Sequence, residues 1–318
     1  MNKTWKWKLD YLEHHKEYLK KGKYFIMPNM RTIINSAYKK DLYKKFPRNK
    51  NGIKSKLLYM IASLDKLKVE KNGNQLQATA VYFSNAGKDC DRVVKFFDYG
   101  KAQVLTKCQQ KFQFESYLEN RRVYSTYFKV PLLLHIDVEN LTYTEEIVDK
   151  QNFYDLDKKV VLCKIAEIYH KHFSTTSSVK LTCCSELPPF SFVTEQDKNI
   201  LVPCYLQHGD LSIDNFICMK DDITFIDFEH QGYYTPYYDL FFLIVNTPDE
   251  KRRELLISGV FDKLISDTMK NEECPVRTAF KLFALMYYDK RLKQNSQSET
   301  CKQAVEVIER IYKALGRR

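Results

Sequence analysis

The chain is 318 residues long, 44% hydrophobic and 29% charged, with a formal net charge of +11. That size and composition allow a full apolar core and leave room for two lobes. No apolar run approaches the roughly 20 residues that span a bilayer, the best being Leu240 to Val245, and Met1 to Leu12 is too charged for a signal-peptide core, so a cytoplasmic protein is expected.

The nine cysteines are scattered, with no Cys-x-x-Cys pair, which argues against a disulfide framework and against a zinc site. Residues 1–60 hold sixteen Lys+Arg against four Asp+Glu, whereas the remaining residues hold 35 against 36. The whole excess of positive charge therefore lies in the first fifth of the chain. A basic arm of this kind suits an anionic surface: phospholipid, a polyanionic glycan or nucleic acid. Trp5, Leu9 and Leu12 share one helical face flanked by Lys6, Lys8 and Lys16, which on one reading is an interfacial anchor. Trp5-Lys6-Trp7-Lys8-Leu9 also alternates like a strand. The bland reading, aromatics packed on the following lobe beneath a solvated basic face, is favoured.

Beyond the arm, residues 66–71, 75–84 and 92–98 read as three strands, separated by the turns Asn72-Gly73-Asn74 and Asn85-Ala86-Gly87-Lys88-Asp89. Val104 to Arg121 has helical spacing, with Leu105, Cys108, Phe112, Tyr117 and Leu118 among its apolar positions. Two further strands, Val130 to Val138 and Leu141 to Val148, flank Glu139-Asn140. Leu156 to Phe173 is an amphipathic helix, Ser174 to Ser178 a small-polar loop, and the stretch to Asn199 is irregular. After the segment described next, Asp249 to Met269 and Cys274 to Leu315 read as helices.

The chemistry concentrates in His208-Gly209-Asp210-Leu211-Ser212-Ile213-Asp214-Asn215, followed by Ile226-Asp227-Phe228-Glu229. The apolar run Ile200 to Leu206 leads into this loop. Ile213 to Met219, the polar turn Lys220-Asp221-Asp222 and the strand Ile223 to Ile226 then make a hairpin that delivers Asp227 at its end. Three oxygen-bearing side chains thus converge on one spot suited to a metal–nucleotide complex. Phosphoryl transfer passes through a loose transition state, so a protein mainly positions reactants and neutralises charge. Asp210 is the carboxylate that orients an acceptor hydroxyl and takes its proton. Asn215 and Asp227 supply the hard oxygen ligands that Mg²⁺ prefers. His208 braces the loop by hydrogen bonding. Glu229 is left without an assigned role.

These residues resemble the aminoglycoside phosphotransferase and choline kinase superfamily, the small-molecule branch of the protein-kinase-like fold. The match covers His208, Asp210, Asn215, Ile226-Asp227-Phe228-Glu229 and Tyr238-Asp239-Leu240. The resemblance implies an α+β, bilobal fold with a small antiparallel β-sheet N-lobe and a mainly helical C-lobe. The expected boundaries are a basic extension over 1–60, an ATP-binding lobe over 61–150, and a catalytic and acceptor-binding lobe over 151–318. It also implies that Asp210 is the catalytic base, that Asn215 and Asp227 bind metal, and that Asp239 buttresses the loop with His208. Gly73 and Asn74 then stand where kinases fold a glycine-containing loop over the ATP phosphates, although a single glycine is a weak signal. Lys95, between Val94 and Phe96, reaches the α- and β-phosphates with Glu115 as its helix partner. Ile147 and Val148 belong to the hinge that grips adenine through backbone groups. The cofactors implied are ATP and Mg²⁺.

The acceptor is the open term. Tyr24 to Asn29 and Tyr43 to Pro47 are similar to the lead-in of members associated with bacterial surface-glycan synthesis, which directs attention to a sugar or polyol. A choline- or ethanolamine-type amino-alcohol is the alternative, prompted by Tyr233, Tyr234, Tyr237 and Tyr238, since aromatic cages suit quaternary ammonium groups. An aminoglycoside ranks last. Outside this class stand a nucleotide-binding scaffold without turnover, disfavoured because Lys95, Asp210, Asn215 and Asp227 are all present, and a nucleic-acid-binding protein, disfavoured for want of a recognisable module. The expected partners are a nucleoside triphosphate and a small-molecule hydroxyl acceptor. On the anchor reading, the basic arm adds a peripheral contact with an anionic membrane or glycan at the inner face of the membrane.

Overall fold

Strict alternation over Val93-Val94-Lys95-Phe96-Phe97-Asp98 sends Val94 and Phe96 into the interior, while Lys95 stays half-buried on the other face. The same two-residue period builds an eight-stranded antiparallel sheet in the computed structural model, which describes residues 3–27, 31–38, 41, 67–84, 93–148, 156–219, 222–270 and 272–317. Its strands are β1 (Gly22–Ile26), β2 (Thr32–Asn35), β3 (Leu67–Val69), β4 (Ala80–Phe83), β5 (Val93–Asp98), β6 (Gln103–Cys108), β7 (Leu133–Asp137) and β8 (Thr142–Glu146). Their spatial order is β3-β1-β2-β4-β5-β6-β8-β7. By contact density the chain divides into two units, 1–118 with 131–148, and 119–130 with 149–318.

In the first unit, one sheet face buries Tyr24, Ile26, Ile33, Val81, Phe83, Val94, Phe96 and Leu105. Helix α1 (Lys3–Glu13) lies on this face: Leu12 is fully buried, and Trp7 and Tyr11 meet Phe83 edge-on at 5.8 and 5.9 Å. Lys8 is buried beside them with its ammonium 5.2 Å from the Phe83 ring centre. Leu9 and Leu12 of the predicted apolar face therefore pack on the sheet, which agrees with the packing reading. Beyond Cys108, helix α2 (Lys111–Tyr124) begins on the opposite face, where Phe114 is buried and Tyr117 stacks on Tyr143 at 4.3 Å.

Three sequence expectations need correcting here. Residues 1–60 are not a mere extension, because β1 and β2 are interior strands of the sheet. The lysines around Tyr24-Phe25-Ile26 hid a short strand whose last three residues are all buried. Val104 to Cys108 is strand β6, not the start of a helix: six consecutive residues pair with β5. Nor is Asn72-Gly73-Asn74 a hairpin turn, since β3 pairs with β1 and not with β4. Asn85–Asp89, Tyr43–Pro47, Pro28-Asn29, Lys220-Asp221 and the Trp5 side chain lie outside the described residues.

The second unit is mainly helical. It contains α3 (Lys158–Thr175), α4 (Tyr238–Val245), α5 (Glu250–Ile257), α6 (Asp262–Thr268), α7 (Pro275–Tyr287) and α8 (Glu299–Leu315). Asp157 caps α3 by accepting the Lys159 and Val160 amides, and Ser298 caps α8 by accepting the Cys301 amide. Helix α4 is buried on every side, and its eight residues are apolar apart from Tyr238 and Asp239. Around it run β9 (Val179–Thr182), β10 (Leu201–Gln207) and β13 (Gly232–Tyr234), in the order β13-β10-β9, and the hairpin β11 (Phe216–Met219)–β12 (Asp222–Phe225). Among the described residues, no helix is long and apolar enough to cross a membrane.

Candidate active site

Strand β10 ends at Gln207, and the chain then turns through His208-Gly209-Asp210 before reaching β11. The turn needs Gly209: its φ is +79°, and a Cβ there would lie 2.2 Å from the Tyr234 hydroxyl and 2.3 Å from the His230 carbonyl oxygen. Asp239, in the first turn of α4 and completely buried, holds the same turn from within. One carboxylate oxygen accepts the His208 amide at 2.6 Å, and the other accepts the Gly209 amide at 2.8 Å. The Tyr169 hydroxyl donates to the first oxygen as well. Burial pushes the Asp239 carboxyl above the usual carboxylate range, while these donors and the nearby His208 pull against that.

His208 ties the loop to the hairpin. Its Nε2 donates to the Ile226 carbonyl at 2.8 Å, which fixes the Nε2–H tautomer. Its ring stands edge-on to Tyr124 at 5.9 Å, and Nδ1 has no hydrogen-bond partner among the described residues. Asn215 closes the loop on itself. Its side-chain NH₂ donates to the Asp210 carbonyl at 2.8 Å, and its own carbonyl accepts the Ile226 amide at 3.0 Å. Because the amide nitrogen is committed, the Asn215 Oδ1 is the atom left for a ligand.

Asp227 follows the hairpin in a left-handed conformation, φ 65° and ψ 44°. A non-glycine residue there carries strain, although aspartate tolerates the conformation better than most. Asn215 and Asp227 are both hard oxygen donors, so the residues present fit a magnesium ion. Among the described residues there is no cluster of three or more His, Cys, Asp or Glu that could hold a metal. Glu229 contributes its carbonyl to Asn120 at 3.5 Å, an outer-limit contact.

A further residue surrounds Asp210 that the sequence did not disclose. Arg291 donates from Nη2 to the Gly209 carbonyl at 2.8 Å, and the same nitrogen lies 3.5 Å from the Asp210 Oδ1. It comes from a single π-helical turn, Tyr288–Leu292, that continues α7. The tyrosine cluster is mostly structural. Tyr234 donates to the His230 carbonyl at 2.8 Å and stacks on Tyr238 at 4.4 Å, and Tyr237 donates to the Leu264 carbonyl at 2.8 Å. Tyr233 is exposed.

In the first unit, Lys95 sits mid-strand on β5, opposite Tyr82 on one side and Thr106 on the other. In the chain, strand β6 comes between it and helix α2. The lysine of β6, Lys107, alternates to the opposite face and donates to the Asn140 carbonyl at 3.1 Å. Glu115 does not serve as the partner of Lys95: it is exposed and pairs with Lys111 one turn earlier at 3.6 Å. Helical phase explains this, because Phe114 and Tyr117 face the sheet and turn Glu115 outward. The buried carboxylate on the Lys95 face is Glu145, which sits in register with Val104 and receives the Tyr117 hydroxyl at 3.2 Å.

Gly73 and Asn74 fold against the Lys16–Leu19 segment. The Gly73 amide donates to the Leu19 carbonyl at 2.7 Å, and a Cβ on Gly73 would meet the Glu17 carbonyl oxygen at 2.2 Å. That close approach gives the glycine a packing reason independent of phosphate. Ile147 and Val148 follow β8, and the Ile147 amide is engaged by the Ala102 carbonyl at 2.8 Å.

No family model matches the chain, and no curated protein matches it in sequence. Among solved structures it is similar to the choline kinase LicA of Streptococcus pneumoniae, with 14% identity, 75% of this chain and 94% of that one covered, and a TM-score of 0.44. It is also similar to APH(2")-IIa in complex with gentamicin (13% identity, 74% and 92% covered, TM-score 0.42). A third likeness is to a thermostable mutant of aminoglycoside phosphotransferase APH(4)-Ia in a ternary complex with ADP and hygromycin B, at 14% identity, 70% and 90% covered, TM-score 0.42.

Proposed function

We propose that the chain is an ATP- and Mg²⁺-dependent phosphotransferase acting on a hydroxyl of a small molecule, a sugar or polyol of a surface glycan. The observation that carries this reading is the braced loop. Asp239 holds the His208 and Gly209 amides, Asn215 holds the Asp210 carbonyl, and His208 links the loop to the strand end that presents Asp227. A polar hairpin with no chemistry to perform has no need of a glycine-only turn, a buried carboxylate and a left-handed aspartate within about thirty residues.

In the proposed reaction the acceptor oxygen forms a bond to the γ-phosphorus, the bond to the ADP oxygen breaks, and the acceptor proton passes to Asp210. Asn215 Oδ1 and the Asp227 carboxylate would hold Mg²⁺, which neutralises phosphate charge when bound. Lys95 is the candidate for the phosphate oxygens, and the Ile147 carbonyl with the Val148 backbone for adenine.

The choice of a polyol over an amino-alcohol rests on the cations beside the loop. Lys290 lies 5.1 Å from the Tyr234 ring centre and Arg291 5.9 Å from that of Phe242. These aromatic faces already carry the protein's own positive charge, so they make a poor cage for a quaternary ammonium group. The deciding experiment is ATP consumption by the purified chain with a panel of sugars, polyols, choline and ethanolamine, alongside Asp210→Asn. Turnover with a polyol that Asp210→Asn abolishes supports the reading, turnover with choline alone moves the acceptor to the alternative, and nucleotide binding without turnover on any acceptor leaves a scaffold.

A further inference from the structure

Arg291 joins the active-site loop from far away in the chain. It lies in the π turn Tyr288–Leu292, where one extra residue per turn weakens the helical ladder, a feature that recurs at functional sites. The turn's other polar side chains point elsewhere: Asp289 accepts the Ser185 hydroxyl at 3.1 Å, and the Lys290 ammonium sits over Tyr234. Arg291 alone reaches the loop. Its guanidinium is half-buried, packs over Phe242, and places Nη2 on the Gly209 carbonyl and beside Asp210 Oδ1.

The Gly209 residue is thereby held at both ends, its amide by Asp239 and its carbonyl by Arg291. The next residue in the chain is Asp210, so fixing that peptide fixes the origin of the Asp210 side chain. The same nitrogen draws Oδ1 toward itself, and no hydrogen bond to Oδ2 occurs among the described residues. One carboxylate oxygen faces the cation, which leaves the other for an acceptor hydroxyl. A planar guanidinium does this better than an ammonium, because the N–H bonds of Nη2 lie in a fixed plane whereas an ammonium rotates freely on a flexible stem.

We propose that Arg291 is the positioning residue that aims Asp210 at the acceptor hydroxyl. This inference rests on the reading of Asp210 as the base. Displacing a reacting group by about 1 Å costs on the order of 100-fold in rate. Arg291→Gln should therefore lower kcat by about 100-fold while leaving KM for Mg·ATP within about twofold. Arg291→Lys should recover part of the loss, and millimolar guanidinium should partly rescue Arg291→Ala.

The test uses the full chain, ADP release from Mg·ATP with the best acceptor of the panel, and Asp210→Asn as benchmark. Hydrogen exchange of the 208–215 amides supplies a readout independent of turnover, and should quicken in Arg291→Gln without a matching change in α8. Wild-type kcat in Arg291→Gln, or unchanged exchange in the loop, overturns the proposal. A rate lost only in proportion to the unfolded fraction overturns it too. Wild-type turnover by Asp210→Asn would instead remove the base assignment on which it stands.

Discussion

Replacing Asp239 tests the buttress most directly. Its carboxylate is fully buried and accepts the His208 amide, the Gly209 amide and the Tyr169 hydroxyl. Asp239→Ala leaves three buried donors without a partner, each worth about 1–3 kcal/mol, and entering water recovers part of that. A net loss of about 3–5 kcal/mol follows, equivalent to roughly 10 °C in Tm for a unit of this size. Asp239→Asn keeps the shape but turns one acceptor into an NH₂ facing a backbone N–H, so about 2–3 kcal/mol is expected. The pH dependence carries a definite sign. Burial raises the Asp239 carboxyl in the folded chain, so its contribution to stability is full below the unfolded value near 4 and falls as pH rises through the raised folded value. Asp197 and Asp249 are lowered and act in the opposite sense. The difference between wild type and Asp239→Asn isolates the term, and wild type should lose ground relative to the variant as pH rises through that window. Urea unfolding between pH 4 and 8, with ATP turnover beside it, is the assay. An Asp239→Asn chain with wild-type stability at every pH and wild-type turnover would refute the buttress.

Gly209→Ala combines a left-handed backbone with contacts of 2.2 and 2.3 Å; it should cost about 2–4 kcal/mol by urea unfolding and remove activity, and a loss under about 0.5 kcal/mol would mean the turn can relax. Asp227→Ala should weaken Mg·ATP binding by about tenfold or more while metal-free ATP binds as before, as calorimetry would show; unchanged Mg·ATP affinity excludes Asp227 from the metal site. Leu12→Ala, at a fully buried position on the sheet-facing side of α1, should destabilise the sheet unit by about 2–4 kcal/mol in thermal unfolding, whereas a neutral outcome would return α1 to the status of a loose arm.

The candidate loop was legible because the residues that mark it are local. Asp210, Asn215 and Asp227 lie within eighteen residues, and a hairpin of ordinary turn and strand composition brings them together. Asp239 came from resemblance, and its buried hydrogen bonds to His208 and Gly209 give that resemblance a physical cause. What depended on distant packing was hidden. Leu105, Cys108 and Phe112 recur at helical intervals, yet pairing with Phe96 and Val93 across β5 makes the first two a strand. Strand β1 disappeared into a lysine-rich stretch, because charge flanking a three-residue apolar core outweighs the period of two in so short a window, and the four residues of β2 are too few to display that period. Arg291 carried no signal at all, since neither a π turn nor a contact across 82 residues has a sequence signature.

The strained positions give the loop's bracing an energetic reason. Asp227 and Tyr237 are non-glycine residues with φ of 65° and 60°, and Gly209 has 79°. They stand at the end of the hairpin, before α4 and in the His208–Asp210 turn. Such conformations cost about 1–3 kcal/mol at a non-glycine residue and persist only where neighbours over-determine them. Here the neighbours are identifiable: Asp239 and Arg291 at Gly209, the His208–Ile226 bond just ahead of Asp227, and the Tyr237 hydroxyl on Leu264 and Thr268. Relaxing any one of these ties releases the strain into the adjacent segment, so neighbouring substitutions should be non-additive. Arg291→Gln and Asp239→Asn act on opposite ends of the same residue, and the double variant should lose less stability than the two single losses combined. Strict additivity in a double-mutant cycle would show that the two braces hold Gly209 independently, and would remove the argument that the loop is one mechanically coupled unit.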